Sequence, residues 1–194
     1  MSLSEIAKNY IGVREYTSAH KQLVNEYNKI KPLPRGYKVS YSDAWCAVFA
    51  SVVMSKNNCV NPPYECGANE MANKAKANGQ FTSVPRENEL IFYSWKRNGV
   101  VDHVGIVESV NGDTITTIEG NCNNMVKRRT ISKHYVFIAG YALIKTKAKK
   151  ATKTIAKDVI AGKYGNGDER RNKLTSAGYD YNEVQALVNK LLKG

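Results

Sequence analysis

Residues 43–55 read DAWCAVFASVVMS, and this stretch decides the fold because a helix formed from it is apolar on almost every side. Such a helix must be buried on most of its surface, so the rest of the domain has to be built around it. Ser42 or Asp43 supplies a side chain suited to the N-cap, which would place Cys46 in the first helical turn.

Further helices are predicted on both sides of this stretch. Apolar residues in 1–31 recur at helical spacing in two pieces, and a break follows at Pro32, Pro34 and Gly36. A short helix is predicted over 69–77, ending at Asn78-Gly79.

From residue 89 the apolar period changes from helical spacing to two. Four stretches rich in β-branched or aromatic residues follow, and they are divided by turn-forming Asn-Gly pairs; they are 90–95, 101–110, 114–119 and 135–144. Helices followed by antiparallel strands predict an α+β domain over residues 1–144.

The remainder of the chain differs in composition from this first domain. Residues 145–153 are a basic stretch with no large apolar side chain, which is typical of a linker. Residues 154–194 contain three amphipathic pieces separated by glycine-containing turns, and they predict a small three-helix bundle.

Charge and composition restrict the classes of partner. The net charge is +12, and the 50 residues from 145 onward carry 12 basic and 5 acidic groups. A basic face attracts polyanions, but no zinc finger, RNA-binding signature or basic recognition helix is present, so nucleic acid is not expected. No run approaches the ~20 apolar residues of a membrane-spanning helix, and the first residues lack the pattern of a secretory signal.

Cys46 and His103 are the candidates for nucleophilic catalysis. A thiol at a helix N-terminus is favoured as thiolate, and the N–H groups there can also stabilise an oxyanion. His103 stands at the head of a strand in DHVGIVE, with Gly105 leaving room beside its ring. The alternatives are a buried structural cysteine and a solvent-exposed histidine. Cys59 and Cys66 are either free thiols or a disulfide.

Glu119 and Asn121 are candidates for orienting the imidazole, and the hairpin register decides whether they can. They share one face of a strand. A three-residue loop over 111–113, or an equivalent bulge, places His103 opposite Asn121 with Glu119 on the same face. A strict two-residue turn at Asn111-Gly112 would turn Glu119 away, leaving it as a surface carboxylate.

Three blocks in this order resemble the signature of CHAP domains, the cysteine, histidine-dependent amidohydrolase/peptidases. The blocks are YSDAWCAVFA from Tyr41, DHVGIV from Asp102 and IEGN from Ile118. The resemblance implies a papain-like α+β fold, a catalytic set of Cys46, His103, Glu119 and Asn121, and cleavage of an amide in peptidoglycan without a metal or other cofactor. Some members carry a calcium-binding acidic loop, but residues 36–43 hold one acid, so no calcium site is expected.

The C-terminal piece is similar to the short cell-wall-binding repeat of certain phage lysozymes. The similarity rests on VIAGKYGNGDER from Val159 and LTSAGYDYNEVQ from Leu174. It implies a three-helix module that binds muropeptide. The candidate contacts are aromatic rings that could stack on sugars and a guanidinium that could pair with a carboxylate, and they are Tyr164, Arg170, Tyr179 and Tyr181. Alternatively, these residues serve turns and packing.

Together the two resemblances predict a phage-type endolysin, acting as an N-acetylmuramoyl-L-alanine amidase or as a peptidoglycan endopeptidase. Its expected partners are peptidoglycan and anionic wall polymers, and it is expected to be a monomer. Without a signal peptide, it is expected to be made in the host bacterial cytoplasm and to reach the wall after release. The alternatives are a catalytically inactive wall-binding or toxin-like adaptor and a cysteine protease that cleaves proteins.

Overall fold

The structure, a computed structural model, describes residues 1–146 and 151–193. The chain forms two compact units, Met1–Lys147 and Ala148–Gly194. The boundary between them falls within the predicted linker 145–153, of which residues 147–150 lie outside the described residues. No helix in the two described stretches is long and apolar enough to cross a membrane.

The first unit begins with helices that match the predicted ones. They are α1 (Leu3–Lys8), α2 (Ser18–Tyr27), α3 (Cys46–Ser55) and α4 (Ala68–Ala77), with a short 3-10 turn at Pro34–Gly36. Ser2 caps α1 through a capping box with Glu5, and the Thr17 side chain caps α2. α4 ends at Ala77, with Asn78 as its C-cap and Gly79 at a positive φ of 66°, as the Asn-Gly pair predicted.

The central helix α3 is buried as predicted, but it starts later and without the expected cap. Every residue from Cys46 to Met54 is buried. The N-cap position is occupied by Trp45, with no side-chain cap. The Asp43 carboxylate instead accepts hydrogen bonds from the backbone N–H of Ser40 at 2.7 Å and from the hydroxyl of Tyr37 at 3.0 Å. The predicted cap at Ser42 or Asp43 is therefore wrong, because Asp43 closes the preceding turn.

Six antiparallel strands form one sheet in the order β1-β6-β2-β3-β4-β5. They are β1 (Phe81–Thr82), β2 (Leu90–Tyr93), β3 (His103–Asn111), β4 (Thr114–Glu119), β5 (Lys127–Ser132) and β6 (Ile138–Ala142). The α+β class is confirmed, and the four predicted stretches contain β2, β3, β4 and β6. β5 was missed because its sequence, KRRTIS, is that of a charged edge strand in which only Ile131 is buried.

A bulge sets the register of the β3–β4 hairpin. Asn111 pairs with Thr114, so the turn contains two residues, Gly112 and Asp113. Of the two arrangements that the sequence allowed for this register, the three-residue loop is absent and the equivalent bulge is present. Glu108 is an extra residue on β3, and beyond this bulge Ile106 pairs with Ile118. Continued along the strands, this register puts His103 opposite Asn121 and Gly105 opposite Glu119, which is the arrangement that the loop had been expected to produce.

The two faces of the sheet carry separate apolar clusters. One face packs with the helices in the main core, and its residues include Leu90, Phe92, Val104, Ile106 and Ile118. The other face carries a smaller cluster that contains Ile91, Tyr93, Val107, Ile115, Ile131 and Tyr141. Strand alternation places His103 and Glu119 on this second face, at the end where Tyr93 pairs with His103.

The second unit consists of three helices, in agreement with the sequence prediction. They are α5 (Thr152–Ile160), α6 (Gly167–Ser176) and α7 (Tyr181–Lys193). Their apolar stripes meet in a small core made of Ile155, Ala156, Val159, Leu174, Val184 and Val188. Gly165 and Gly167 have positive φ values of 68° and 52°, so the connection between α5 and α6 uses backbone conformations that favour glycine.

Candidate active site

Cys46 is the first residue of α3, and its side chain is almost completely buried. The position follows from the packing of its surroundings, because the preceding Trp45 is fully buried and anchors the start of the helix. Backbone N–H groups in a first helical turn lack partners within the helix. Cys46 therefore lies where these N–H groups favour negative charge.

His103 begins β3, and its ring contacts a carboxylate. The Nε2 atom lies 3.0 Å from Oε2 of Glu119. Burial alone would lower the pKa of His103, but hydrogen bonding and charge interactions with Cys46 and Glu119 outweigh it and raise the pKa to about 9. The ring is therefore an imidazolium at neutral pH, held between the thiol and the carboxylate.

Glu119 is fully buried at the end of β4, where its carboxylate has several donors. Oε1 accepts hydrogen bonds from the hydroxyls of Tyr93 at 2.6 Å and Thr117 at 2.7 Å, and Nη1 of Arg129 lies 3.8 Å from Oε2. Burial would raise the pKa of Glu119, but His103 and the two hydroxyls lower it to about 2. The carboxylate is thus anionic wherever the protein is folded under ordinary conditions.

Two glycines allow the carboxylate to reach this position. A Cβ atom on Gly105 would lie 2.7 Å from Cγ of Glu119, so the space beside the His103 ring is occupied by the glutamate side chain. A Cβ atom on Gly120 would lie 2.5 Å from Cβ of Phe49 on α3. The glycines of the DHVGIV and IEGN blocks therefore permit close packing of β3, β4 and α3 around the site.

Asn121 lies at the same site, but Glu119 is the acceptor for the imidazole. Asn121 follows β4 with a positive φ of 55°, a conformation that asparagine tolerates better than most residues. It lines a cavity together with His103 and Glu119. Of the two orienting candidates, the geometry favours Glu119 for holding the ring and places Asn121 on the cavity wall.

The cavity next to His103 has a volume of about 470 Å³. Its walls come from the ends of β2, β3 and β4 and from β5, and the lining residues are Trp95, His103, Glu119, Asn121, Cys122, Asn123, Lys127, Arg128 and Arg129. The site is therefore open to a substrate of peptide size on the side that carries β5.

Sequence reasoning missed three side chains that surround His103 and Glu119. The Trp95 ring stacks near His103, with centroids 6.0 Å apart, and on Tyr93 at 5.1 Å. The Arg129 guanidinium lies over the Tyr93 ring at 5.1 Å and over the Trp95 ring at 5.4 Å. An aromatic pair at the end of β2 was visible in the sequence as YSW, but Arg129 could be placed only once β5 was known.

In the second unit, the guanidinium of Arg170 is held by groups of its own unit. Nε donates to the carbonyl of Gly165 at 3.0 Å, Nη2 donates to Asn166 Oδ1 at 2.9 Å, and Nη1 donates to Gln185 Oε1 at 3.0 Å. These bonds tie the glycine turn to α6 and α7. This arrangement favours the packing alternative for Arg170 over a free carboxylate-binding group.

The three candidate tyrosines of the second unit also contribute to its core. Tyr164, Tyr179 and Tyr181 are partly buried against the apolar cluster. The guanidinium of Arg171 lies 4.3 Å from the centroid of the Tyr181 ring. Their role in muropeptide binding stays a prediction.

All four cysteines are free thiols, which decides the alternative for Cys59 and Cys66 in this structure. Within residues 1–146 and 151–193, no group of three or more His, Cys, Asp or Glu side chains is placed to hold a metal ion.

The replacement of Glu119 by Gln should change the dependence of stability on pH. Because the pKa of Glu119 is lowered, this group stabilises the fold above pH 4.5, and that stability is lost as the pH falls towards 2. Because the pKa of His103 is raised, this group stabilises the fold below pH 6.5, and that stability is lost as the pH rises through about 9. The Glu119→Gln variant should therefore be most destabilised, relative to the parent, between pH 4.5 and 6.5. Urea unfolding followed by tryptophan fluorescence measures this in the first unit, which contains both tryptophans. A deficit that does not vary with pH would contradict the charge pair.

Comparisons with known proteins identify both units. The profile of the CHAP domain matches residues 36–121, and the profile of the CW_7 repeat, a cell-wall-binding repeat, matches residues 153–192.

No curated protein matches the chain. Among solved structures, the crystal structure of Ly7917 is 18% identical with a TM-score of 0.41, and the match covers 66% of this chain and 63% of that chain. The crystal structure of Ly7917 with the hydrolyzing product of MDP is 15% identical with a TM-score of 0.38, and the match covers 64% of this chain and 62% of that chain. This chain therefore spans less than two thirds of the length of Ly7917. The profiles confirm the predicted resemblances: the chain contains a CHAP domain at residues 36–121 and a CW_7 cell-wall-binding repeat at residues 153–192.

Proposed function

We propose that this protein is an endolysin-type peptidoglycan hydrolase that cleaves an amide bond with Cys46 as the nucleophile. The CHAP domain and the cell-wall-binding repeat support the substrate class. The observation that carries the mechanism is the position of the His103 imidazolium between Cys46 and the buried carboxylate of Glu119. An imidazolium beside a sulfur at a helix N-terminus is the environment in which a thiolate forms.

The first half of the reaction is acylation of Cys46. The thiolate attacks the carbonyl carbon of the amide, a C–S bond forms, and the oxyanion is stabilised by N–H groups of the first turn of α3. The imidazolium of His103 then donates its proton to the departing nitrogen, and the C–N bond breaks. The products of this half are a free amine and a thioester on Cys46.

The second half is hydrolysis of that thioester. His103, now neutral, accepts a proton from a water molecule as the water attacks the thioester carbonyl. Collapse of the second tetrahedral intermediate breaks the C–S bond and releases the carboxylic acid. The thiolate and the imidazolium are thereby restored. Throughout both halves, Glu119 keeps the ring oriented and stabilises its charged form.

Two reactions fit this site equally, and they differ in which amide lies across Cys46. An N-acetylmuramoyl-L-alanine amidase separates the glycan from the stem peptide, whereas an endopeptidase cuts within stems or cross-bridges. Mass spectrometry of digested walls distinguishes them, because the first releases glycan without peptides and the second releases cut peptides.

The Cys46→Ala variant should lose at least ~10³-fold of the rate at which purified walls are cleared, since the nucleophile is removed. Turbidity of a wall suspension measures this rate. Cys122→Ala is the matched control, because Cys122 lines the cavity beside His103 and burial raises the pKa of its thiol. The control should clear walls at nearly the parent rate.

Undiminished clearing by Cys46→Ala would refute Cys46 as the nucleophile, whereas the absence of clearing by the parent protein would favour the inactive adaptor. The parent protein should leave casein intact while it dissolves walls. Digestion of casein by the parent protein would support the protein-cleaving alternative instead.

We propose that the second unit binds the wall, with muropeptide contacts at Tyr164, Tyr179 and Tyr181, while Arg170 supports the turn and helices that carry them. The support is the cell-wall-binding repeat over 153–192 and the excess of basic residues from 145 onward, which would attract anionic wall polymers.

Removal of residues 148–194 should reduce co-sedimentation with walls but leave the cleavage of a soluble muropeptide unchanged. The first unit has its own core, so its tryptophan fluorescence provides the control for folding. Wall binding by the parent should also weaken as salt is raised. Unchanged sedimentation after truncation would refute a binding role for the second unit.

A further inference from the structure

The cavity beside His103 has a rim of positive charge. Three consecutive cations of β5 line it, Lys127, Arg128 and Arg129. Among the described residues that line it, Glu119 is the one carboxylate, and it is fully buried and already bonded to His103, Tyr93 and Thr117. The field inside the cavity therefore favours an anionic ligand group.

Arg128 is not the cation that a ligand would meet. Its Nε and Nη2 atoms form a bidentate pair with the Glu108 carboxylate, at 2.7 and 2.9 Å. Glu108 is the bulged residue of β3. Bidentate pairing uses the donors of the guanidinium and compensates its charge.

Arg129 packs among three aromatic rings and keeps donors for a ligand. Its guanidinium lies over the rings of Tyr93, Trp95 and Tyr135 at 5.1, 5.4 and 5.0 Å. Oε2 of Glu119 is 3.8 Å from Nη1, which is longer than a hydrogen bond. A guanidinium has five N–H donors, so a fixed fork of donors remains at the cavity.

Lys127 is the second available cation. It is directly opposite Glu119 in the β4–β5 ladder and is two residues from Arg129, so both side chains belong to the face that carries the site. Within residues 1–146 and 151–193, no carboxylate lies within ion-pair distance of its ammonium group. The lysine is half-buried at the cavity, where a charge interaction is screened less than on an open surface.

We propose that Lys127 and Arg129 bind a free carboxylate of the peptide substrate and make the enzyme select stem peptides whose carboxylates are not amidated. This inference rests on the proposed hydrolase function and adds substrate selection to it. The cations lie on the cavity that opens beside His103, so a carboxylate bound there would hold the neighbouring amide near the reacting groups. An uncharged carboxamide would offer one acceptor oxygen and no charge.

The test compares two synthetic muramoyl peptides, one with free carboxylates and one with each carboxylate converted to carboxamide. The full-length parent should cleave the first with a kcat/KM roughly tenfold higher, mainly through a lower KM, since a charge-assisted hydrogen bond is worth about one tenfold step. Lys127→Gln should lose most of this preference, because its kcat/KM should fall more for the carboxylate peptide than for the amidated one. Lys133→Gln removes the same charge from a lysine paired with Asp113 outside this cavity, and it should keep the preference.

Binding provides a readout that does not depend on turnover. The Cys46→Ala protein should bind the carboxylate peptide more tightly than the amidated one in calorimetry, and Cys46→Ala/Lys127→Gln should not. Equal cleavage of both peptides by the parent, or an equal loss on both in Lys127→Gln, would overturn the inference and leave the hydrolase function standing. No cleavage of either peptide or of walls by the parent would overturn the proposed function and this inference together.

Discussion

The contact between the His103 ring and the Glu119 carboxylate is the interaction on which the rest of the site depends. Both groups are buried, and removing two charges from water costs free energy that the pair alone does not always recover. The surroundings offset this cost through the hydroxyls of Tyr93 and Thr117 and the nearby guanidinium of Arg129. The result is a carboxylate that stays ionised and an imidazole that stays protonated next to Cys46.

A strand bulge and two glycines bring His103 and Glu119 into contact. The bulge at Glu108 shifts the register of β3 by one residue, and without it the turn-end pairing would put His103 opposite Cys122. Gly105 leaves space for the Glu119 side chain, and Gly120 lets the end of β4 approach α3. The geometry of the site at His103 therefore depends partly on two glycines, because a larger side chain at either position would clash with its neighbours.

Much of this arrangement could be predicted from the sequence, because the strongest signals are local. The buried helix around Cys46 follows from a run of apolar residues, and the three blocks around Cys46, His103 and Glu119 specify the candidate site. The position of the cap was wrong because Asp43 has a competing partner in the Ser40 backbone, which periodicity does not show. For the hairpin, the sequence allowed a three-residue loop or an equivalent bulge, because both produce the same register, and the strand pairing shows the bulge.

The parts of the site that the sequence did not predict belong to β5. An exposed edge strand has little apolar patterning, so KRRTIS gave no signal for a strand, and the positions of Lys127 and Arg129 beside the site stayed hidden. In the second unit, the sequence assigned a binding role to Arg170 that the fold does not favour. It was assigned to ligand binding on its chemistry, and the fold uses its donors for Gly165, Asn166 and Gln185.

The central claim is that a buried carboxylate keeps His103 charged beside the thiol, and an NMR titration of the His103 ring tests it most directly. In the parent protein the ring should titrate with a pKa of about 9. In Glu119→Gln the pKa should be clearly lower, because burial still disfavours the charged ring and one of its two partners has lost its charge. A pKa at or below 6.5 in the parent, or one that Glu119→Gln leaves unchanged, would contradict the account.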